Sequence, residues 1–172
     1  VRELALYDRA SQSVLFLKQE DGLYRRWKEL KVASFSLTGM KVGDFDHNGR
    51  EDLLLFDPEK MGIAFANKTD IELKQIASYE TDIRNGRLLD SVPGDLNGDG
   101  ELDLLLMEAA QHNVEIVAIE PETKLRKAIH WRVFEEKTFR QNFSGIEPRE
   151  AVIGDVNADG LNDIIMLVNN RV

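Results

Sequence analysis

Three short stretches carry the residues best suited to chemistry. They are Asp44-Phe45-Asp46-His47-Asn48-Gly49-Arg50-Glu51-Asp52, Asp95-Leu96-Asn97-Gly98-Asp99-Gly100-Glu101-Leu102-Asp103, and Asp155-Val156-Asn157-Ala158-Asp159-Gly160-Leu161-Asn162-Asp163. Positions 1, 3, 5 and 9 are Asp or Asn in every copy, position 6 is Gly and position 2 is apolar. A glycine precedes each copy (Gly43, Gly94, Gly154), and an apolar run follows it: Leu53–Phe56, Leu104–Met107 and Ile164–Leu167.

This pattern suits a hard cation. Calcium takes six to eight oxygen ligands at ~2.3–2.6 Å. Alternate side chains at positions 1, 3 and 5 supply three oxygens, and glycine at 6 allows the sharp turn. Position 7 offers only its main-chain carbonyl, which explains why Arg50, Glu101 and Leu161 differ so widely. The Asp at position 9 closes the shell. The predicted metal residues are therefore Asp44, Asp46, Asn48, Arg50 and Asp52; Asp95, Asn97, Asp99, Glu101 and Asp103; and Asp155, Asn157, Asp159, Leu161 and Asp163.

Two plainer explanations compete. Asp, Asn and Gly also favour turns that bind nothing, but three recurrences of one nine-residue pattern favour a metal. An EF-hand loop opens similarly, yet it needs an acidic ligand at position 12 between two helices. Position 12 here is Leu55, Leu106 or Met166, inside an apolar run of strand length. A contiguous nonapeptide array is excluded because the copies stand apart.

Composition narrows the possibilities further. The 172 residues suit one domain with a sizeable core. Net charge is −9, from 22 basic and 31 acidic residues. Removing the nine Asp of the three loops leaves 22 acids against 22 bases, so the loops account for the whole excess. An acidic chain of this kind argues against nucleic acid as a partner. No apolar stretch reaches the ~18 residues of a membrane span. Cysteine is absent, which excludes disulfides and thiolate chemistry. The chain starts at Val1 with no signal segment, so it reads as an excerpt whose targeting segments lie elsewhere.

Position 1 recurs at spacings of 51 and 60 residues, a period expected of propellers and other repeat arrays. Each unit reads as four strands. The first runs into the loop (Leu37–Val42, Leu89–Val92, Ala151–Ile153), and the second is the apolar run after it. The third is Ile63–Ala66 or Val114–Ile119, and the fourth Leu73–Tyr79 or Ala128–Phe134. Leu4–Asp8, Val14–Leu17 and Trp27–Val32 repeat strands two to four without a loop. The continuous apolar runs predict second strands buried on both faces, between stacked sheets.

Four strands per unit, with a loop joining the first two, describe a propeller blade. The stretches Gly43-Asp44 to Leu53, Gly94-Asp95 to Leu104 and Gly154-Asp155 to Ile164 resemble FG-GAP (VCBS) repeats, the blades of integrin α-subunit propellers. The resemblance covers residues 34–168 directly and Leu4–Val32 by analogy. It implies an all-β fold: a β-propeller of four-stranded antiparallel blades, here an incomplete segment of about three to three and a half. The expected division is a partial blade at 1–33, blades at 34–83 and 84–140, and half a blade at 141–172. A closed ring needs four to eight blades, so the rest belongs to the parent chain, or self-association closes the ring.

The resemblance further implies a calcium-stabilised, non-catalytic module that binds a protein or carbohydrate, in a secreted, periplasmic or cell-surface setting. The alternative is the propeller scaffold of a larger secreted enzyme acting on polysaccharide or lipid, with its catalytic residues elsewhere. No nucleophile or acid–base motif accompanies His47, His112 or His130. His47 is expected to face solvent, and the Glu108-x-x-x-His112 pair to be coincidence. Trp131 is assigned to the core, and Lys124-Leu125-Arg126-Lys127 to a solvated hairpin. The long connection at 135–150 is the candidate partner-contacting element.

Overall fold

A computed structural model describes residues 3–58, 61–67, 71–75, 79, 88–108, 111–120, 124–133, 148 and 150–168. Thirteen strands are present among them: β1 (Glu3–Asp8), β2 (Ser13–Glu20), β3 (Leu23–Lys31), β4 (Gly39–Gly43), β5 (Asp52–Phe56), β6 (Met61–Ala66), β7 (Ile71–Gln75), β8 (Leu88–Gly94), β9 (Asp103–Glu108), β10 (Asn113–Glu120), β11 (Lys124–Arg132), β12 (Glu150–Gly154) and β13 (Asp163–Leu167). They form four antiparallel sheets in chain order. The first is β1-β2-β3, the second β4-β5-β6-β7, the third β8-β9-β10-β11 and the fourth β12-β13. Every strand pairs with its neighbour in sequence, so each sheet is a meander. The expected all-β class and antiparallel pairing are observed.

The sheets stack because their second strands are apolar at successive positions. Leu53 and Leu55 of β5 join Val14, Phe16, Val32 and Phe35 in a core shared with the first sheet. Leu54 and Phe56 point the other way and meet Leu104, Leu106 and Val117 of the third sheet. In β9, Leu105 and Met107 pack instead with Val114, Ala151 and Ile164, towards the fourth sheet. Side chains alternate across a strand, so one apolar run serves two cores. Each fully buried leucine contributes about 2 kcal/mol through lost water contact. Trp131 packs against the third core, as expected of a core aromatic.

The first strands of successive sheets lie together: β4 is against β8, and β8 against β12. Lys41 of β4 and Asp90 of β8 pair across this line at 2.8 Å. Glycine lets the strands approach. A Cβ on Gly94 would stand 2.7 Å from Cγ2 of Ile153 in the fourth sheet.

Two fourth strands start earlier than expected. β3 begins at Leu23 because Asp21 (φ 50°) and Gly22 (φ 79°) make a two-residue hairpin turn, paired at Glu20 and Leu23. This left-handed pair suits the twist of the flanking strands. The stretch Lys124-Leu125-Arg126-Lys127 opens β11 and lies in the β10–β11 hairpin. Its backbone completes the ladder with β10, and Leu125 packs on the second–third core. Both β3 and β11 carry a bulge at the matching place, opposite Phe16/Leu17 and Ile116/Val117. In the fourth strand expected at Leu73–Tyr79, residues 76–78 lie outside the described residues. Most of the 135–150 connection does as well; within it only Pro148 and Glu150 are described.

Candidate metal centre

Each Asp/Asn loop joins the first strand of a sheet to the second, between β4 and β5, β8 and β9, and β12 and β13. The three loops fold alike because their side chains bond their own backbone in the same order. At position 1, Asp44, Asp95 and Asp155 accept from the position-6 N–H at 2.8, 2.9 and 2.9 Å. At position 3, Asp46, Asn97 and Asn157 accept from the position-5 N–H at 3.2, 2.8 and 2.9 Å. At position 5, Asn48, Asp99 and Asp159 accept from the position-7 N–H at 2.9, 2.8 and 2.8 Å. These side-chain-to-backbone bonds, two residues apart for positions 3 and 5, are Asx turns. The glycines at position 6 sit at φ 79°, 86° and 89°, where a Cβ would be strained. Position 4 is left-handed too: His47 at 55°, Gly98 at 76° and Ala158 at 61°.

Position 9 ties the loop to the sheet. One oxygen of Asp52, Asp103 and Asp163 accepts from the position-2 N–H of Phe45, Leu96 and Val156, at 2.9, 3.0 and 3.1 Å. The other oxygen of Asp52 accepts from Ala66 N–H of the third strand, at 2.8 Å. Asp52 and Asp103 are buried, at 1% and 4% exposure. Burial pushes both carboxyls above the usual range, and the nearby charges of Asp46 and Asp44 push Asp52 further. Their backbone hydrogen bonds act in the opposite sense. At half-buried Asp95, the N–H of Gly100 and its neighbours hold the carboxyl below that range.

In the first loop, one oxygen each from Asp44, Asp46 and Asp52 lies within 4.8 Å of the others. Ligands of one calcium at ~2.3–2.6 Å can be no more than about 5 Å apart, so this donor set fits such an ion. No second trio of acidic, His or Cys side chains meets this span among the described residues. The second and third loops have Asn at position 3, which places their carboxylates at positions 1, 5 and 9.

Residues 44–106, covering the first loop, the second loop and the strands between them, match the sequence model of an FG-GAP-like repeat. This stretch is an FG-GAP-like repeat. No curated protein and no solved structure matches the chain at a significant level. Within residues 44–106, the described residues supply three strands of the second sheet (β5, β6 and β7), followed by β8 and most of β9 of the third.

Two contacts between neighbouring loops were not anticipated. His47 is exposed, but its Nε2 lies 2.5 Å from Oε2 of Glu101 in the second loop. Asn162 of the third loop donates to the carbonyl of Asp95 at 2.8 Å. A Cβ on Gly98 would lie 3.4 Å from Leu161. Position 7 of one loop thus leans on position 4 of the loop before it. Its side chain makes contacts of its own, apart from the carbonyl role expected of that position.

Sequence reasoning also missed three buried acids outside the loops, Asp57, Glu108 and Glu115. Glu115 accepts from the Tyr79 hydroxyl at 2.8 Å, and burial together with that carboxylate drives the phenol well above its ordinary range. Glu108 accepts from Gln111 N–H at 2.9 Å in the β9–β10 turn, where His112 has φ 59°. The Glu108–His112 spacing is therefore the span of a hairpin. Glu108 ends β9 and Glu115 lies inside β10, and an acid at either place does not by itself signal burial in the sequence.

Proposed function

We propose that this chain is a calcium-stabilised, non-catalytic β-propeller module that presents a rigid surface to a protein or carbohydrate outside the cytosol. The observation that carries the reading is the convergence of Asp44, Asp46 and Asp52 in a loop whose backbone pattern recurs twice more. The FG-GAP-like repeat at 44–106 supports the propeller part. The ligands in the first loop are Asp44, Asp46, Asn48, the carbonyl of Arg50, and Asp52. In the second they are Asp95, Asn97, Asp99, the carbonyl of Glu101, and Asp103. In the third they are Asp155, Asn157, Asp159, the carbonyl of Leu161, and Asp163.

The role of the ion is structural. Three carboxylates crowded in one loop repel each other, and a divalent cation relieves that repulsion. Asp52 already joins the loop to β6, so an ion held there would bind loop and sheet together. Extracellular modules bind calcium at ~10⁻⁴–10⁻³ M, which matches the supply outside a cell and not that of cytosol.

Calorimetric titration of metal-stripped protein tests the reading, with three ions per chain expected. No uptake by folded protein would overturn it, and one ion per chain would confine it to the first loop. Screening the loaded protein against glycan and protein arrays then identifies the class of ligand.

A further inference from the structure

Three Asn-Gly pairs occur in the chain: Asn48-Gly49, Asn85-Gly86 and Asn97-Gly98. Asn85-Gly86 lies outside the described residues. An asparagine before glycine can react with its own backbone, because glycine has no Cβ to keep its nitrogen from the side-chain amide carbon. The loop around Asn97 supplies what that reaction needs. The N–H of Gly98 donates to Oδ1 of Asp95 at 2.7 Å, so a base already holds the proton that must leave the nitrogen. Oδ1 of Asn97 accepts from the N–H of Asp99 at 2.8 Å, so a donor faces the oxygen on which negative charge develops. Asn97 is exposed to water, and its Nδ2 has no protein acceptor among the described residues.

The other two loops each lack one of these parts. In the first, Gly49 N–H donates to Asp44 and Oδ1 of Asn48 accepts from Arg50 N–H, as around Asn97. The Nδ2 of Asn48, however, donates to Asp46 at 3.0 Å and to the carbonyl of Ala66 at 3.1 Å, so the departing group is tied to the loop and to β6. In the third, Oδ1 of Asn157 accepts from Asp159 N–H, but the next residue is Ala158, whose Cβ crowds the attacking nitrogen.

We propose that Asn97 is a self-modification site, converted through a cyclic imide to aspartate and isoaspartate by groups of its own loop. The Gly98 nitrogen bonds to Cγ of Asn97 while its proton passes to the Asp95 carboxylate. The Cγ–Nδ2 bond then breaks, and the amide nitrogen takes up that proton and leaves as ammonia. Water opens the imide at either carbonyl. Opening at the side-chain carbonyl gives aspartate, and opening at the main-chain carbonyl gives isoaspartate. Both products place a new carboxylate at position 3 of the second loop, where the first loop already has Asp46. Isoaspartate also puts a methylene into the main chain, which breaks the register of the turn.

Peptide mass spectrometry of the 172-residue chain, kept in chelator at neutral pH and sampled over weeks, tests this. Chelator keeps any ion out of the loops, so the outcome does not depend on the calcium reading. Asn97 should be lost roughly tenfold faster than Asn48, whose amide must first give up two hydrogen bonds, and faster still than Asn157. In denaturant the two Asn-Gly pairs should react at similar rates, because the difference comes from the fold. Asp95→Asn, which keeps an acceptor but removes the base, should slow the loss at Asn97 by roughly tenfold or more. The wild-type ranking needs no variant, so it decides the question even where Asp95→Asn perturbs the loop. Loss at Asn48 or Asn157 that matches loss at Asn97 in folded protein would overturn the proposal. So would a gap between Asn97 and Asn48 that persists in denaturant, or a folded Asp95→Asn chain that reacts at the wild-type rate.

Discussion

The side-chain amide of Asn162 donates to the main-chain carbonyl of Asp95, 2.8 Å away, and so joins the third loop to the first residue of the second. Asn162 is at position 8 of its loop and is not one of the proposed ligands. Its bond holds the backbone of Asp95, a proposed ligand, in place. A neutral hydrogen bond of this kind is worth about 0.5–1.5 kcal/mol net. Asn162→Ala should therefore weaken calcium binding at the second loop by roughly two- to tenfold while leaving stoichiometry unchanged. Site-resolved NMR titration of Gly98 and Gly100 amides checks this. An effect confined to the third loop would count against it.

Asp52 and Asp163 hold the same loop position in different surroundings. Asp52 is buried and accepts from both Phe45 and Ala66 N–H. Asp163 accepts from Val156 N–H at an exposed site. In metal-stripped protein, Asp52→Ala should cost about 2–5 kcal/mol, because it orphans two donors, and Asp163→Ala about 1 kcal/mol or less. Both losses should grow when calcium is added, since an ion stabilises only the fold that binds it. Denaturant titrations with and without calcium measure both parts.

Burial raises the carboxyls of Asp52 and Asp103 above the ordinary value of 3.8 in the metal-free fold. A raised folded-state value gives stability that is present below the unfolded value and is lost as pH rises through the folded one. For these two groups, metal-free protein should gain stability as pH falls from neutral through the weakly acid range above 3.8. Asp95 acts oppositely, but in a lower window. The N–H of Gly100 depresses its folded value, so its contribution is present above 3.8 and is lost below it. Calcium should reverse the trend in the weakly acid range, because protons then compete with the ion. Thermal melts of metal-stripped and calcium-loaded protein across that range supply the comparison, and Asp52→Asn should flatten the metal-free curve.

Gly94 and Ile153 form a tight joint between the third and fourth sheets, where a Cβ would approach Cγ2 to 2.7 Å. Alanine normally suits a strand interior better than glycine. Here the clash should win, and Gly94→Ala should cost about 1–3 kcal/mol. Adding Ile153→Val should recover part of that cost. A double-mutant cycle in denaturant, read as a non-zero coupling energy, distinguishes this contact from a local backbone effect.

The loops and second strands were legible because each signal is dense and repeated. Asp, Asn and Gly at fixed offsets leave few alternatives, and Leu53–Phe56 or Leu104–Met107 must be buried somewhere. The fourth strands were harder to read. β11 opens on Lys124-Leu125-Arg126-Lys127, so its charged residues mask a strand that the ladder with β10 and the packing of Leu125 define. The early start of β3 was readable from Asp21-Gly22, a strong hairpin signal placed too far from Trp27 to be connected with it. The second roles of His47, Glu101 and Asn162 were hidden for another reason. They depend on how adjacent sheets are offset, which no single repeat encodes.

The double-faced packing of β5 affects which sequence changes it can absorb. In a strand with one wet side, a one-residue slip exchanges a buried set for an exposed one. In β5 a slip would exchange Leu53 and Leu55 with Leu54 and Phe56, so two leucines and a leucine–phenylalanine pair would each have to fit the opposite cavity. Neither cavity would lose its apolar lining, yet both would hold the wrong volumes. Single-residue insertions or deletions in β5 or β9 should therefore yield protein that stays collapsed and β-rich while losing close packing on both sides of the strand at once. Such damage would escape far-ultraviolet spectroscopy and appear in the dispersion of methyl resonances.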